Sequence, residues 1–74
     1  MADNDTPSLT NRERQCLELL AIGLRGKEIA VRLGIADRTV EHHVRLAKKR
    51  LGAKSREHAV ALAIQHGLIG KHQE

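Results

Sequence analysis

The chain has 74 residues, a length that suffices for one small domain and excludes a second within it. Its 13 Lys and Arg residues outnumber its 9 Asp and Glu residues, and the resulting net charge of +4 favours a polyanionic partner. Phe, Tyr and Trp are absent, which argues against those modes of RNA and single-strand binding in which bases stack on aromatic side chains. Binding to double-stranded DNA is unaffected by that argument.

The first predicted element follows a polar N-terminal segment. Residues 1–8 are rich in Asp, Asn and Thr and have little to bury, so they are predicted to be a disordered lead-in. Thr10 and Glu13 have the spacing of a capping box, which starts a first helix that ends near Gly23. The buried stripe of this helix is predicted to consist of Cys16, Leu17, Leu20, Ala21 and Leu24.

Two further helices are predicted on either side of a short turn. The second runs from about Lys27 to Leu33 and stops at Gly34, which can adopt the left-handed conformation. The third runs from Asp37, its predicted N-cap, to Leu51. Apolar residues at helical spacing are predicted to face the core from this third helix: Val40, Val44, Ala47 and Leu51.

A fourth helix is predicted from Arg56 to His66, with Ser55 as its N-cap. The consecutive apolar residues 59–64 cover the whole circumference of this helix. One side can be buried in the core, and apolar surface is then left exposed on the other side. That surplus indicates a partner, although peripheral core packing is the alternative. Residues 9–70 are therefore predicted to form one all-α, four-helix domain, followed by a flexible tail at 71–74.

The second and third helices have the features of a helix-turn-helix motif. The connection between them is three or four residues long. Ala30 is small where the helices would approach most closely, Gly34 lies in the turn, and Val40 is apolar six residues later. An ordinary helical hairpin is the alternative, but a run of cations with no acid among them favours DNA binding. The run consists of Arg45, Lys48, Lys49, Arg50, Lys54 and Arg56.

The exposed face of the third helix fits the major groove, where the base pairs present distinguishable donors and acceptors. Arg45 can pair bidentately with guanine, and Glu41 can accept a hydrogen bond from the amino group of cytosine. Short or cationic side chains around this face are predicted to hold phosphates. This second set consists of Lys27, Arg38, Thr39, Lys48 and Lys49.

Five segments of the sequence, taken together and in this order, resemble a known family. They are LTNRERQCLELLAIG at 9–23, KEIA at 27–30, RTVEHH at 38–43, RLGA at 50–53 and GLI at 67–69. Together they resemble the LuxR-type, or GerE-like, DNA-binding domain, and the stretch 39–69 is most similar to its quorum-sensing branch. The resemblance implies a four-helix domain that reads DNA with its third helix, dimerises through its fourth, and binds an inverted repeat to control transcription.

The resemblance also implies roles for particular residues. The residues that it places at the bases are Glu41, His42 and Arg45. His42 stands where quorum-sensing members carry a bulky aromatic residue, and Glu13 resembles an acidic residue that we interpret as structural. Arg25 and Ala36 stand where Ser caps are common, so the second and third helices are expected to start within a residue of the predicted positions. The apolar residues predicted at the dimer interface are Val60, Leu62, Ala63 and Ile64.

Three alternatives compete with a DNA-binding regulator. A metal site is disfavoured because His42 and His43 are adjacent on a helix and Cys16 lies on a buried stripe. Enzymatic activity is disfavoured because no nucleophile is paired with a base and no phosphate loop occurs, so neither a cofactor nor a small-molecule ligand is expected. The strongest rival is an interaction module that pairs with a full-length LuxR-type regulator and blocks it.

Localisation and assembly are further expectations. Cys16 cannot form an intramolecular disulfide, and the sequence contains neither a secretory leader nor an apolar stretch of membrane-spanning length, so a cytoplasmic protein is expected. A homodimer is expected, formed either in solution or only on DNA, and a heterodimer with another LuxR-type protein is an alternative. Full-length members usually carry a further domain ahead of this one, so an autonomous regulator and an excised domain both stay open.

Overall fold

Four helices make up the described part of the chain, which is residues 7–70 of a computed structural model. They are α1 (Asn11–Ala21), α2 (Gly26–Leu33), α3 (Asp37–Leu51) and α4 (Arg56–Gln65). No strand occurs within residues 7–70, and the predicted all-α, four-helix class is confirmed. Pro7 and Ser8 precede α1 without regular secondary structure. The rest of the predicted lead-in and the predicted tail at 71–74 lie outside the described residues.

Side-chain caps begin α1 and α4, as the sequence predicts. In the capping box of α1, the Glu13 N–H donates to Thr10 Oγ1 at 3.1 Å and the Thr10 N–H donates to Glu13 Oε1 at 3.0 Å. At the start of α4, Ser55 Oγ accepts from the His58 N–H at 3.0 Å. These bonds satisfy amide donors that have no partner within the first turn of a helix.

The start of α3 differs from the prediction. Ala36 is the N-cap and supplies no side-chain hydrogen bond, while Asp37 is the first helical residue. The predicted capping role of Asp37 is therefore wrong, and its carboxylate lies instead in the first turn, where the helix dipole favours negative charge. Three other boundaries also differ: α1 ends at Ala21, two residues before Gly23, while α2 begins at Gly26 and α4 ends at Gln65, each one residue from the prediction.

A three-residue turn joins α2 to α3. Gly34 has a φ of 71°, the left-handed conformation that glycine adopts without steric cost. Its N–H donates to the Val31 carbonyl at 3.2 Å, and the Ile35 N–H donates to the Ala30 carbonyl at 3.0 Å, the bonding pattern of a Schellman motif. The Ile35 side chain packs against the core. The turn therefore ends α2 sharply and is anchored from inside the domain.

The core consists of two buried clusters, and α3 contributes to both. The cluster shared by α1, α2 and the N-terminal half of α3 contains Cys16, Ile29, Ala30, Val40 and Val44. The cluster shared by α1, the C-terminal half of α3, α4 and the segment after α4 contains Leu17, Ala47, Ala59, Ala63 and Ile69. Leu20 packs against both, and Leu51, predicted to be buried, is half-buried at the end of α3. Because α3 is held along its length, its remaining side is presented rigidly to solvent.

A buried acid ties the start of α1 to the end of α3. The side chain of Glu13 is only 1% exposed, and its Oε2 accepts a hydrogen bond from Arg50 Nε at 3.1 Å, while its Oε1 lies 2.9 Å from the same nitrogen in an ion pair. With the bond from Thr10, every buried side-chain polar atom within residues 7–70 has a hydrogen-bond partner. Glu13 therefore has the structural role that its position suggests, since it closes a helix cap and neutralises a cation from a distant helix.

Candidate nucleic-acid interface

The outer face of α3 is the exposed stripe opposite its buried side, and it consists of Arg38, His42, Arg45 and Lys49. At the helical repeat these four residues fall within about 60 degrees of one another around the axis. All four are exposed. The structure thus brings two predicted base contacts, His42 and Arg45, onto one stripe with two predicted phosphate contacts, Arg38 and Lys49.

The other predicted contacts lie around this stripe. By helical spacing, Glu41 and Lys48 lie on one edge of the outer face and Thr39 lies on the other. Glu41 is exposed, whereas Lys48 and Thr39 are half-buried. Lys27 is exposed in the first turn of α2, next to Gly26, where an added Cβ would lie 3.5 Å from Glu41 Oε2. Charged or polar side chains therefore border the outer face on both sides.

The cations of the run 45–56 divide into two groups. Arg50 pairs with Glu13 at 2.9 Å, and Arg56 pairs with Glu41 at 3.2 Å. Within residues 7–70 the other four members form no ion pair: Arg45, Lys48, Lys49 and Lys54. Within the described residues, the unpaired cations of this run therefore lie on α3 and on the turn that follows it.

The ion pair between Glu41 and Arg56 was not anticipated from the sequence. The two residues are separated by 15 positions, beyond the i, i+3 and i, i+4 spacings at which helical side chains meet. Their contact depends on how α4 crosses α3, which no local pattern specifies. The position of Arg56 at the first residue of α4, directly after the Ser55 cap, is the one sequence signal that places it at an exposed helix end.

The residues of the alternative metal site are not arranged as ligands. Within the described part of the chain, no group of three or more His, Cys, Asp or Glu side chains could hold a metal ion. The rings of His42 and His43 have centroids 5.8 Å apart and are tilted by 56°. Burial raises the pKa of the Cys16 thiol, which favours the protonated form over the thiolate that binds metals.

The apolar residues of α4 occupy different sides of the helix. Ala63 and Ala59 are fully buried, so Ala63 has no surface to offer to a second protomer, and we remove it from the predicted interface. Val60 and Ile64 are half-buried because they pack against the second cluster. Leu62 is also half-buried, and it belongs to neither cluster. Of the four residues predicted at the dimer interface, Leu62 is the one least committed to the core.

The helix-turn-helix formed by α2 and α3 lies within a stretch that matches a known protein family. The model of bacterial regulatory proteins of the luxR family matches residues 7–63. The chain belongs to this family. It is accordingly a DNA-binding domain of the kind found in LuxR-family transcriptional regulators, and it is not an enzyme. The resemblance inferred from the five segments is confirmed.

Two relatives illustrate how differently family members are built. The transcriptional activator protein BjaR1 of Bradyrhizobium diazoefficiens is 46% identical over 61 residues, which are 82% of this chain and 25% of that protein. The spore germination protein GerE of Bacillus subtilis is 43% identical over 61 residues, 82% of each chain. The chain thus spans a quarter of BjaR1 and most of GerE.

Solved structures show the same fold. The structure of the transcription factor GerE superposes with a TM-score of 0.80 at 31% identity, covering 84% of this chain and 92% of GerE. The VqmA dimer of Vibrio cholerae, a LuxR-type receptor solved in the absence of its target DNA, gives a TM-score of 0.79 at 34% identity. The match covers 90% of this chain and 30% of VqmA.

The length and apolar content of a helix determine whether it could cross a membrane. Within residues 7–70, none of the helices combines the length and the apolar character that crossing a bilayer requires.

Proposed function

We propose that this domain binds double-stranded DNA by inserting the outer face of α3 into the major groove, and that it regulates transcription as a dimer on an inverted repeat. The observation that carries the proposal is the exposed cationic stripe: Arg38, Arg45 and Lys49 have no acidic partner within residues 7–70. Because α3 is anchored in both core clusters, this charge is held in fixed positions relative to the duplex. A preorganised stripe loses little conformational entropy on binding.

Base recognition is assigned to the N-terminal half and the middle of α3. Arg45 would donate both guanidinium N–H groups to the O6 and N7 atoms of guanine. Glu41 would accept from the N4 amino group of cytosine, and His42, in the middle of the stripe, would contact an adjacent base edge. Recognition helices commonly contact bases with residues near their N-terminus, because that end enters the groove most deeply.

Phosphate contacts are assigned to the side chains that surround the base-reading residues: Lys27, Arg38, Thr39, Lys48 and Lys49. Such contacts fix the register and orientation of a protein on DNA without discriminating between bases. They also release counterions from the duplex, so they make binding sensitive to salt. These side chains lie on α2 and on both edges of α3, as expected if α3 lies in the major groove between the sugar-phosphate backbones of the two DNA strands.

Dimerisation is assigned to α4, through Leu62 together with the accessible parts of Val60 and Ile64. VqmA, which shares the fold, forms a dimer and binds target DNA. A two-fold dimer would present two copies of α3 to two half-sites, which explains why the expected DNA sequence is an inverted repeat. The similarity of 39–69 to the quorum-sensing branch suggests that the protein acts in a regulator of that kind, in the cytoplasm.

Selection of DNA fragments from a random pool by the full chain tests the proposal. We expect enrichment of a two-fold symmetric sequence, with the logarithm of its affinity falling with the logarithm of salt concentration by about 0.9 per neutralised phosphate. A chain that enriches no sequence, or whose binding does not respond to salt, would contradict DNA recognition. That outcome would favour the interaction module that pairs with another LuxR-type regulator.

Leu62→Asp is expected to abolish cooperative binding to the inverted repeat while leaving binding to a single half-site within about two-fold, because half-site binding needs only one copy of α3. Titrations on full-site and half-site DNA measure this, with circular dichroism confirming that the variant is folded. Leu62→Met is the matched control, since it keeps the apolar character and volume of the side chain. If the aspartate variant binds the full site as cooperatively as the parent chain, Leu62 does not belong to the dimer interface.

A further inference from the structure

One contact links Glu41, on the edge of the outer face of α3, to α4. Arg56 Nη2 donates to Glu41 Oε1 at 3.2 Å and to Glu41 Oε2 at 3.3 Å, so a single nitrogen bridges both carboxylate oxygens. The side chain of Glu41 is 52% exposed and that of Arg56 is 39% exposed. The carboxylate also lies beside the first residue of α2, since a Cβ at Gly26 would be 3.5 Å from Oε2. The Glu41 carboxylate therefore lies close to the first residue of α2 and to the first residue of α4.

We infer that Arg56 is a positioning residue for base recognition: it holds the Glu41 carboxylate in one orientation at the edge of the outer face of α3 and takes no direct part in contacting bases. This inference rests on the proposed function, because it assigns a specificity role to a residue outside the outer face of α3. The inference predicts that Arg56, the first residue of α4, affects discrimination at one base pair only, the one whose cytosine Glu41 would contact.

The chemistry of the carboxylate allows it to serve both partners at once. A carboxylate offers about four lone-pair sites, of which the bridging Arg56 nitrogen occupies one on each oxygen. Acceptor capacity is thus left for a cytosine amino group. A glutamate on an exposed helix surface otherwise samples several rotamers, and fixing one of them before DNA arrives removes an entropic cost from binding.

The positive charge of Arg56 is a second reason why this residue would help Glu41 to recognise a base. An uncompensated carboxylate at a DNA surface is repelled by the phosphates, which reduces affinity for every sequence. The guanidinium of Arg56, 3.2 Å from Glu41 Oε1, neutralises that charge locally. An exposed ion pair of this kind contributes little to folding stability, so Arg56 can be changed without unfolding the domain.

The test compares four forms of the full chain in selections from a random DNA pool: the parent, Glu41→Gln, Arg56→Ala and Lys54→Ala. Glu41→Gln identifies the base pair that Glu41 contacts, because discrimination there should fall by about ten-fold. Arg56→Ala should reduce discrimination at that same base pair by about three- to ten-fold and leave the other positions unchanged. Lys54→Ala removes an equal charge from a nearby exposed residue that forms no ion pair with Glu41, and it should not alter the selected sequence.

The double variant Glu41→Gln with Arg56→Ala distinguishes a positioning role of Arg56 from a purely structural one, because it shows whether the two changes affect base discrimination independently. The double variant should discriminate no worse than Glu41→Gln alone, because both changes act through the same carboxylate. Two results overturn the inference: unchanged discrimination in Arg56→Ala, or a uniform loss of affinity at all sequences with a lower salt slope, which marks a phosphate contact. If the parent chain itself selects no sequence, the proposed function fails instead, so the two failures are distinguishable.

Discussion

Arg45→Ala is expected to weaken binding to the selected DNA sequence by about 1–3 kcal/mol, roughly 5- to 150-fold, while binding to random DNA weakens much less. Arg45 lies in the middle of the outer face of α3 and has no ion pair within residues 7–70, so its guanidinium is available to a base. Losing a bidentate contact with guanine removes discrimination at one position of each half-site. Titrations on selected and random duplexes at the same salt concentration measure the two losses.

Lys49→Ala is the matched control for Arg45→Ala. Lys49 is exposed one helical turn further along the same stripe, and it also lacks an acidic partner within the described residues. As a phosphate contact it should reduce affinity for both duplexes alike and lower the salt slope by about 1 per protomer. Equal losses on the two duplexes from Arg45→Ala would show that Arg45 also contacts phosphate, and would remove it from the base-reading set.

Ala63→Asp is expected to unfold most of the protein at room temperature. Ala63 is fully buried among Leu17, Ala47, Ala59 and Ile69, so an aspartate there would place an unpaired carboxylate in an apolar cluster. Such a substitution costs several kcal/mol, which is comparable with the total stability of a small domain. Because the chain contains no Phe, Tyr or Trp, far-UV circular dichroism during urea titration is the suitable measurement.

Ala61→Asp is the control for Ala63→Asp. Ala61 lies two residues earlier on the exposed side of α4, so the same chemical change there should cost only about 0.5 kcal/mol through helix propensity. Ala63→Asp should have lost most of its helical signal before urea is added, whereas Ala61→Asp should unfold at a urea concentration close to that of the parent chain, and this difference separates the core side of α4 from its surface. Equal midpoints for the two variants would mean that Ala63 is not part of the core, and would return it to the candidates for the dimer interface.

The positions of helices could be predicted because the signals for them are local. Thr10 with Glu13, and Ser55 before α4, satisfy amide groups only three residues away, so their spacing is sufficient to locate a helix start. The start of α3 carries no such local signal, because its N-cap, Ala36, has no side-chain oxygen, and the nearest polar residue, Asp37, is the first residue of the helix. Where a helix start lacks a side-chain cap, the boundary is specified by packing alone.

The side of each helix that faces the core was predictable for α3 and not for α4. In α3, buried apolar residues recur every three or four positions among polar and charged ones, so Val40, Val44 and Ala47 define one buried stripe and the outer face lies opposite it. In α4 the residues 59–64 are apolar on every side, so the sequence contains no preferred face. Which of them are buried depends on the direction from which α1 and α3 approach.

By itself, the sequence determined the number and order of the helices, the turn at Gly34 and the composition of the outer face of α3, because periodicity and capping act over a few residues. The tertiary structure alone decided which charges are paired. Arg50 and Arg56 belong to one basic run, yet each is neutralised by an acid from another helix, at 2.9 Å from Glu13 and 3.2 Å from Glu41. Such pairs depend on the angles at which helices cross, and those angles result from the packing of the whole core.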